Sequence, residues 1–230
     1  MERIIRDYVA IVADLFELPE PIWDIGSYQV AGQEELVNLR DVFAGRDFVG
    51  VDMREGPGVD RVENVERITA ADGSVGTILC LNTLEHVRDI IAAGREMTRV
   101  IKPDGVLVLS TPFDFMIHDF PGDYWRFTPQ ALAYLTRDFP QRIIGYQGYE
   151  TIPRMTFAVA FKQEAADLRE KTVQLKERFH EAVRPKRGHL DRRIKMAIAR
   201  RLAGERFFRT YDHRSQVDFW IDGNGTDSHS

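Results

Sequence analysis

The sequence predicts a doubly wound α/β fold: a mostly parallel β-sheet covered by helices on both faces. Three observations carry this. Short apolar runs recur and are continuous rather than alternating, the pattern of strands buried on both faces. Segments with helical periodicity separate these runs. Glycine, proline and aspartate mark the change from one to the other.

The elements follow in order. Ile5, Val9, Val12 and Phe16 share one face of a helix over residues 2–18, which Pro19 and Pro21 stop. Ile22-Trp23-Asp24-Ile25 is a first strand, closed by Gly26-Ser27. Leu36, Leu39 and Phe43 mark a second helix ending near Gly45, and Phe48-Val49-Gly50-Val51-Asp52 is a second strand. Turns at Glu55–Gly58 and Asp72–Ser74 lead to a strand over Thr77–Leu81. Ile90, Ala93, Met97 and Val100 give a helix over 88–101, broken by Lys102-Pro103-Asp104-Gly105. Val106–Ser110 is a fully apolar strand. Thr128-Pro129 starts a further helix, with the hydroxyl as cap and proline in the first turn. Two later strands fall near Arg142–Tyr146 and Met155–Phe161.

Composition narrows the class. The 230 residues are 43% hydrophobic and 29% charged, as in soluble globular chains, and contain no run long enough to span a bilayer. Charges near the start argue against a signal peptide, and a single cysteine, Cys80, within an apolar strand fits a reducing, cytoplasmic setting. No cysteine cluster indicates zinc, and no metal ligands are assigned. The net charge of −5 is unevenly spread: −10 over residues 1–161, +8 over 162–214 and −3 over 215–230. The expected organisation is therefore a domain over 1–161, opening with a helix in 1–19, then a basic helical extension over 162–214 and a short, flexible acidic end over 215–230.

Ligands of open α/β sheets bind beyond the carboxyl ends of the strands. Gly26 follows the first strand, where the missing Cβ permits close approach. Asp52 ends the second strand, 26 positions later. A carboxylate there can accept from both hydroxyls of a ribose. The dinucleotide pattern G-x-G-x-x-G fails, because Tyr28 stands at the second glycine. A nucleoside without phosphates does not need that glycine.

Asp24-Ile25-Gly26-Ser27, Val49-Gly50-Val51-Asp52, Leu84-Glu85-His86-Val87 and Ile101–Pro112 occur in this order and at familiar distances. Together they resemble the class I S-adenosylmethionine-dependent methyltransferases, in a methyltransferase type 11-like subgroup, over about residues 20–160. The resemblance implies a Rossmann-like sheet of seven strands and S-adenosyl-L-methionine as cofactor. It places Asp24, Gly26 and Ser27 along the methionine part and Asp52 on the ribose. Met53 then lies against the adenine, Asn64 at its amino group, and Leu81 and Asn82 beside the sulfonium. Tyr28, and Val75-Gly76 in place of a common Phe-Asp pair, depart from the family pattern. The segment Phe120–Pro129 resembles a subgroup associated with methylation of glycans or small molecules.

Methyl transfer to a hydroxyl or amine requires an aligned acceptor and a proton acceptor. His118, in the loop after the Val106–Ser110 strand, is the candidate base, with Asp119 as a second and Asp114 or Asp123 as its orienting group. His86, Tyr124, Trp125 and Arg126 are candidates for acceptor binding: an aromatic–cation group can stack on a sugar or hold an anion. The expected activity is methyl transfer to an oxygen or nitrogen of a small molecule, sugar or glycan. The alternatives are a non-catalytic nucleoside-binding or scaffold protein of the same fold, and an NAD(P)-dependent oxidoreductase. The second is disfavoured by Tyr28 and by the lack of a Tyr-x-x-x-Lys pair. Nucleic acid is not an expected partner of an acidic body. In the extension, Leu168, Val173, Leu175 and Phe179, then Ile194, Ile198 and Leu202, recur at helical spacing among basic residues. Such a helix can lie on an anionic membrane surface, form a homodimer contact or pack on the chain's own acidic body.

Overall fold

A computed structural model describes residues 3–29, 38–118, 122–184 and 216–223. Its elements are α1 (Arg3–Leu15), β1 (Ile22–Ile25), β2 (Phe48–Asp52), β3 (Arg61–Val62), β4 (Val75–Leu81), a 3₁₀ turn at Leu84–His86, α2 (Ile90–Val100), β5 (Ile101–Pro112), α3 (Pro129–Leu135), β6 (Gln141–Gly148), β7 (Pro153–Phe161), α4 (Leu168–Val183) and β8 (Val217–Gly223). They form one eight-stranded sheet in the order β3-β2-β1-β4-β5-β7-β6-β8. β3, β2, β1, β4 and β5 pair in parallel. β7 runs antiparallel to both β5 and β6, and β8 antiparallel to β6.

The predicted fold class holds: a doubly wound, mostly parallel sheet. The central strands are buried on both faces because both carry helices. On one face α1 and α4 cover the sheet through Tyr8, Val12, Phe157, Phe179 and Phe219. On the other, α2 and α3 do so through Met97, Leu132, Ile78 and Leu107. The Thr128 hydroxyl caps α3 by accepting from the Ala131 N–H at 3.1 Å, and Asp89 caps α2 by accepting from Ala92 at 2.9 Å. The described part of the expected second helix, residues 38–46, is a series of turns; Leu36 lies outside the described residues.

The sheet has one strand more than the seven expected, and the difference corrects the reading of residues 215–230 as a loose acidic end. Within them, β8 pairs with β6 from Gln147↔Val217 to Gln141↔Gly223. Val217 and Phe219 point into the α1/α4 core. The acidic residues of this strand meet cations: Asp218 pairs with Lys176 at 2.7 Å and Asp222 with Arg142 at 3.0 Å. Val217, Phe219 and Ile221 recur at every second position, a strand signal hidden beneath the charge count. The helix predicted early in the extension is α4, and it packs on the body. Leu168, Leu175 and Phe179 are buried, and Arg178 pairs with Asp14 of α1 at 2.6 Å. Ile194, Ile198 and Leu202 lie outside the described residues. Among the described residues, no helix is long and apolar enough to cross a membrane.

Candidate active site

The strand order reverses between β1 and β4, so the loops after them diverge and leave a crevice at the carboxyl edge. Residues following β1, β2, β4 and β5 all reach this edge because the four strands are parallel. The β1 loop is fixed by backbone. Gly26 and Ser27 donate their N–H groups to Val51 O at 2.8 and 3.1 Å, and Gln29 donates to Pro57 O at 2.9 Å. Gly26 has φ +91°, and a Cβ there would collide with the Thr83 hydroxyl. That hydroxyl bridges the strands by donating toward Ile25 O and Leu81 O, at 3.0 and 3.2 Å. Glycine is thus required by the close approach of the β1 and β4 loops.

Asp24 and Ser27 are buried, and among the described residues the Ser27 hydroxyl has no hydrogen-bond partner. Burial pushes the Asp24 carboxyl up to about 7, and the nearby Asp52 charge adds to the rise. Asp52 is also buried; its Oδ1 accepts from the Arg54 backbone N–H at 2.9 Å and from Arg54 Nε at 3.3 Å. The Arg54 guanidinium lies 4.3 Å from the Tyr28 ring centroid, and that ring packs where a side chain on Gly56 would stand. Tyr28, the departure at the second glycine, is therefore accommodated by Gly56. Met53 is exposed. At Asn64, Oδ1 accepts from the Glu66 N–H at 2.9 Å to shape a turn. Leu81 is buried at the end of β4. Asn82 follows with φ +50°, and accepts at Oδ1 from the Ser110 hydroxyl at 3.1 Å.

Across the edge, the loop after β5 is laced to the 3₁₀ turn after β4. Tyr124 N donates to Glu85 O at 2.7 Å, and Trp125 Nε1 to Val87 O at 2.8 Å. The centre of this loop is Asp123, whose side chain is only 1% exposed. Arg126 binds both of its oxygens, at 2.5 and 2.7 Å. The backbone N–H of His118 donates to it at 3.0 Å, and His118 Nδ1 stands 3.2 Å away. These partners, Arg126 foremost, hold the Asp123 carboxyl far below the usual range. Of the two orienting groups expected for His118, Asp123 is the one within reach. Arg126 also donates toward Phe115 O, Met116 O and Trp125 O, so its guanidinium clamps the loop. The Tyr124 hydroxyl accepts from Arg88 Nε at 2.9 Å. Asp119 lies outside the described residues.

His86 and His118 meet edge to face, with ring centroids 4.9 Å apart. His86 Nδ1 is 2.6 Å from Gly122 O, and burial lowers the pKa of this imidazole. Beside them Glu85 is buried; desolvation raises its carboxyl to about 8.

Residues 33–109 match the family model described as a methyltransferase domain. A curated relative from Mycobacterium sp. (strain JLS), an uncharacterized methyltransferase, is 30% identical over 124 residues, covering 46% of this chain and 49% of the relative. The chain thus spans about half the length of that relative. Among solved structures, an S-adenosylmethionine-dependent methyltransferase from Archaeoglobus fulgidus superposes with a TM-score of 0.53 at 13% identity, covering 69% of this chain and 93% of that one. Residues 33–109 are thus similar to a methyltransferase domain, and the fold is similar to that of S-adenosylmethionine-dependent methyltransferases. A second similar fold, at a TM-score of 0.50 and 17% identity over 70% of this chain and 79% of the other, is the 1,6-didemethyltoxoflavin-N1-methyltransferase of Burkholderia thailandensis, which holds 1,6-didemethyltoxoflavin and S-adenosylhomocysteine.

In this fold the predicted residues fall into two groups. Asp24, Gly26, Ser27, Asp52 and Asn82 are at the ends of β1, β2 and β4; His86, His118, Tyr124, Trp125 and Arg126 share the opposite loop pair. Met53 and Asn64 follow β2 and β3, at the margin of the first group. Sequence reading passed over Arg54, Thr83 and Glu85. Glu85 had a signal, a carboxylate between Leu84 and His86 in one of the motifs that carry the resemblance. Arg54 and Thr83 had none, since neither residue type stands out until its neighbours in the fold are known.

Proposed function

We propose that this protein is a methyltransferase that transfers a methyl group from S-adenosylmethionine to an oxygen or nitrogen of a small molecule or glycan. The observation supporting it is the pairing, on one sheet edge, of the buried Ser27 hydroxyl without a partner and two imidazoles across the crevice. An orphaned hydroxyl beside a glycine turn and two buried carboxylates fits a polar, cationic nucleoside-bearing cofactor. When bound, that cofactor supplies a methyl group activated on a sulfonium.

The chain's residues then divide the work. Asp24, Gly26 and Ser27 hold the amino-acid end, and Asp52 receives the ribose hydroxyls. Met53 covers the adenine, and the Asn64 amide faces its amino group. Leu81 and Asn82 line the sulfonium. His118 Nδ1 has two acceptors near it, Asp123 Oδ2 and Met116 O, both at 3.2 Å. The carbonyl can only accept, so the proton belongs on Nδ1 and the lone pair on Nε2. Nε2 is thereby able to take the acceptor's proton, with Asp123 stabilising the imidazolium. Phe115, Tyr124 and Trp125 are each at least 40% exposed around this histidine, offering flat surface to an acceptor ring. The Burkholderia enzyme of similar fold holds a small molecule, 1,6-didemethyltoxoflavin.

The test is calorimetry of the full chain with S-adenosylhomocysteine, S-adenosylmethionine and NAD. Binding of the two sulfur nucleosides and not NAD is expected, with Asp52→Ala losing about 100-fold in affinity, roughly 2.7 kcal/mol. Absence of binding at millimolar ligand refutes the reading. His118→Ala should lower turnover without moving cofactor affinity; equal turnover excludes it as the base.

A further inference from the structure

The 3₁₀ turn and the loop after β5 bring together a group of side chains to which sequence reading assigned no metal. A carboxylate oxygen of Glu85 and one ring nitrogen each of His86 and His118 all lie within 4.8 Å of one another. We propose that Glu85, His86 and His118 bind one divalent first-row transition-metal ion.

Four features argue for a built site. First, both imidazoles are set in the ligating tautomer. His86 Nδ1 donates to Gly122 O at 2.6 Å, because a carbonyl can only accept. The same reasoning places the His118 proton on Nδ1, toward Asp123 and Met116 O. Each ring therefore carries its lone pair on Nε2, and each has the carbonyl or carboxylate partner that metal-bound histidines use. Second, His86 Nε2 and Glu85 Oε1 converge, 3.9 Å apart. Third, Glu85 is 1% exposed and its Oε2 has no hydrogen-bond partner among the described residues. A buried carboxylate oxygen left without a donor is costly, and a cation removes that cost. Fourth, the scaffold is rigid: the bonds from Tyr124 N to Glu85 O and from Trp125 Nε1 to Val87 O tie the two ligand-bearing segments together.

Two imidazoles and one carboxylate favour Zn²⁺, Mn²⁺, Co²⁺ or Fe²⁺ over Mg²⁺ or Ca²⁺. Three protein ligands leave coordination positions for water or for an acceptor oxygen. An acceptor hydroxyl held there becomes more acidic and sheds its proton to solvent. In the loaded form His118 is a ligand; in the metal-free form its Nε2 is the proton acceptor. This use of the ion rests on the proposed methyl transfer, whereas its binding does not.

The experiment uses the full chain, stripped with chelator and dialysed, then titrated with Co²⁺ and followed by visible ligand-field absorption and calorimetry. One ion per chain is expected. Glu85→Gln and His118→Ala should each weaken binding at least ten-fold. Asp123→Asn, which removes the charged orienting partner of His118 and the ion pair with Arg126, should weaken it about 10-fold. Far-UV circular dichroism and S-adenosylhomocysteine binding report whether each variant is folded. No ligand-field band in the wild type, or wild-type affinity in folded Glu85→Gln and His118→Ala, overturns the site. S-adenosylhomocysteine titrated into the stripped protein separates the two proposals. Nucleoside binding without a cobalt site ends the metal inference alone. A cobalt site without nucleoside binding ends the methyl-transfer reading alone.

Discussion

The two sides of the crevice are built by different forces. On the side proposed for the cofactor, backbone does most of the positioning: Gly26 and Ser27 both donate to Val51 O, and glycine permits the close passage of Thr83. On the side proposed for the acceptor, one ion pair organises the loop, with the buried Asp123 carboxylate at its centre and Arg126 clamping the carbonyls of Phe115, Met116 and Trp125. Backbone geometry is insensitive to salt and pH. An ion pair can be rebuilt with other residues, so the acceptor side can vary while the cofactor side stays fixed.

The strongest test of that division is Gly26→Ala. A methyl group would strain a φ of +91° and strike Thr83, so a loss of about 3 kcal/mol in stability is expected, together with weaker cofactor binding. Chemical denaturation and calorimetry would read both. Unchanged cofactor affinity would show that the β1 loop does not shape that side.

Arg126→Ala should cost about 2–3 kcal/mol, because Asp123 is left as a buried carboxylate without its main partner. Cofactor affinity should stay within about two-fold. A parallel loss of cofactor affinity would mean that the two sides are coupled.

Asp24→Asn separates stability from binding on the cofactor side. The Asp24 carboxyl is raised from 3.8 to about 7, so between those values the folded chain holds a proton that the unfolded chain has lost. Wild-type stability therefore falls as pH rises from about 4 to about 7. The asparagine variant lacks this loss, so it should match wild type near pH 4 and exceed it by roughly 4 kcal/mol at pH 8. Its affinity for S-adenosylmethionine should be lower at pH 8. Thermal unfolding across that range decides: a gap that does not open with pH would contradict the burial argument.

The smallest effect is expected at Asn82. Alanine there must hold a left-handed conformation and cannot accept from the Ser110 hydroxyl, so it should cost about 1 kcal/mol, and glycine less. Equal stability of the two variants, measured by denaturant unfolding, would remove backbone strain as the reason for asparagine.

The fold class and the strand ends that form the carboxyl edge were legible before any coordinates. β1 and β2 could be read to the residue, since a buried parallel strand is a short apolar run ended by residues that turn the chain. The order of motifs carried Asp24, Gly26, Asp52 and Asn82 to one edge, because parallel strands bring their carboxyl ends together. Other features waited for the folded chain. β8 was obscured because its acidic residues looked like a solvated tail until Lys176 and Arg142 were seen to face them. The pairing of Arg126 with Asp123, and the meeting of Glu85 and His86 with His118, depend on how two loops fold against each other. Side chains as distant along the chain as His86 and His118 leave no periodic signal of their meeting. Local pattern dictates strands, turns and caps, because those form from neighbours in sequence; partners that meet through space are chosen by the fold that brings them together.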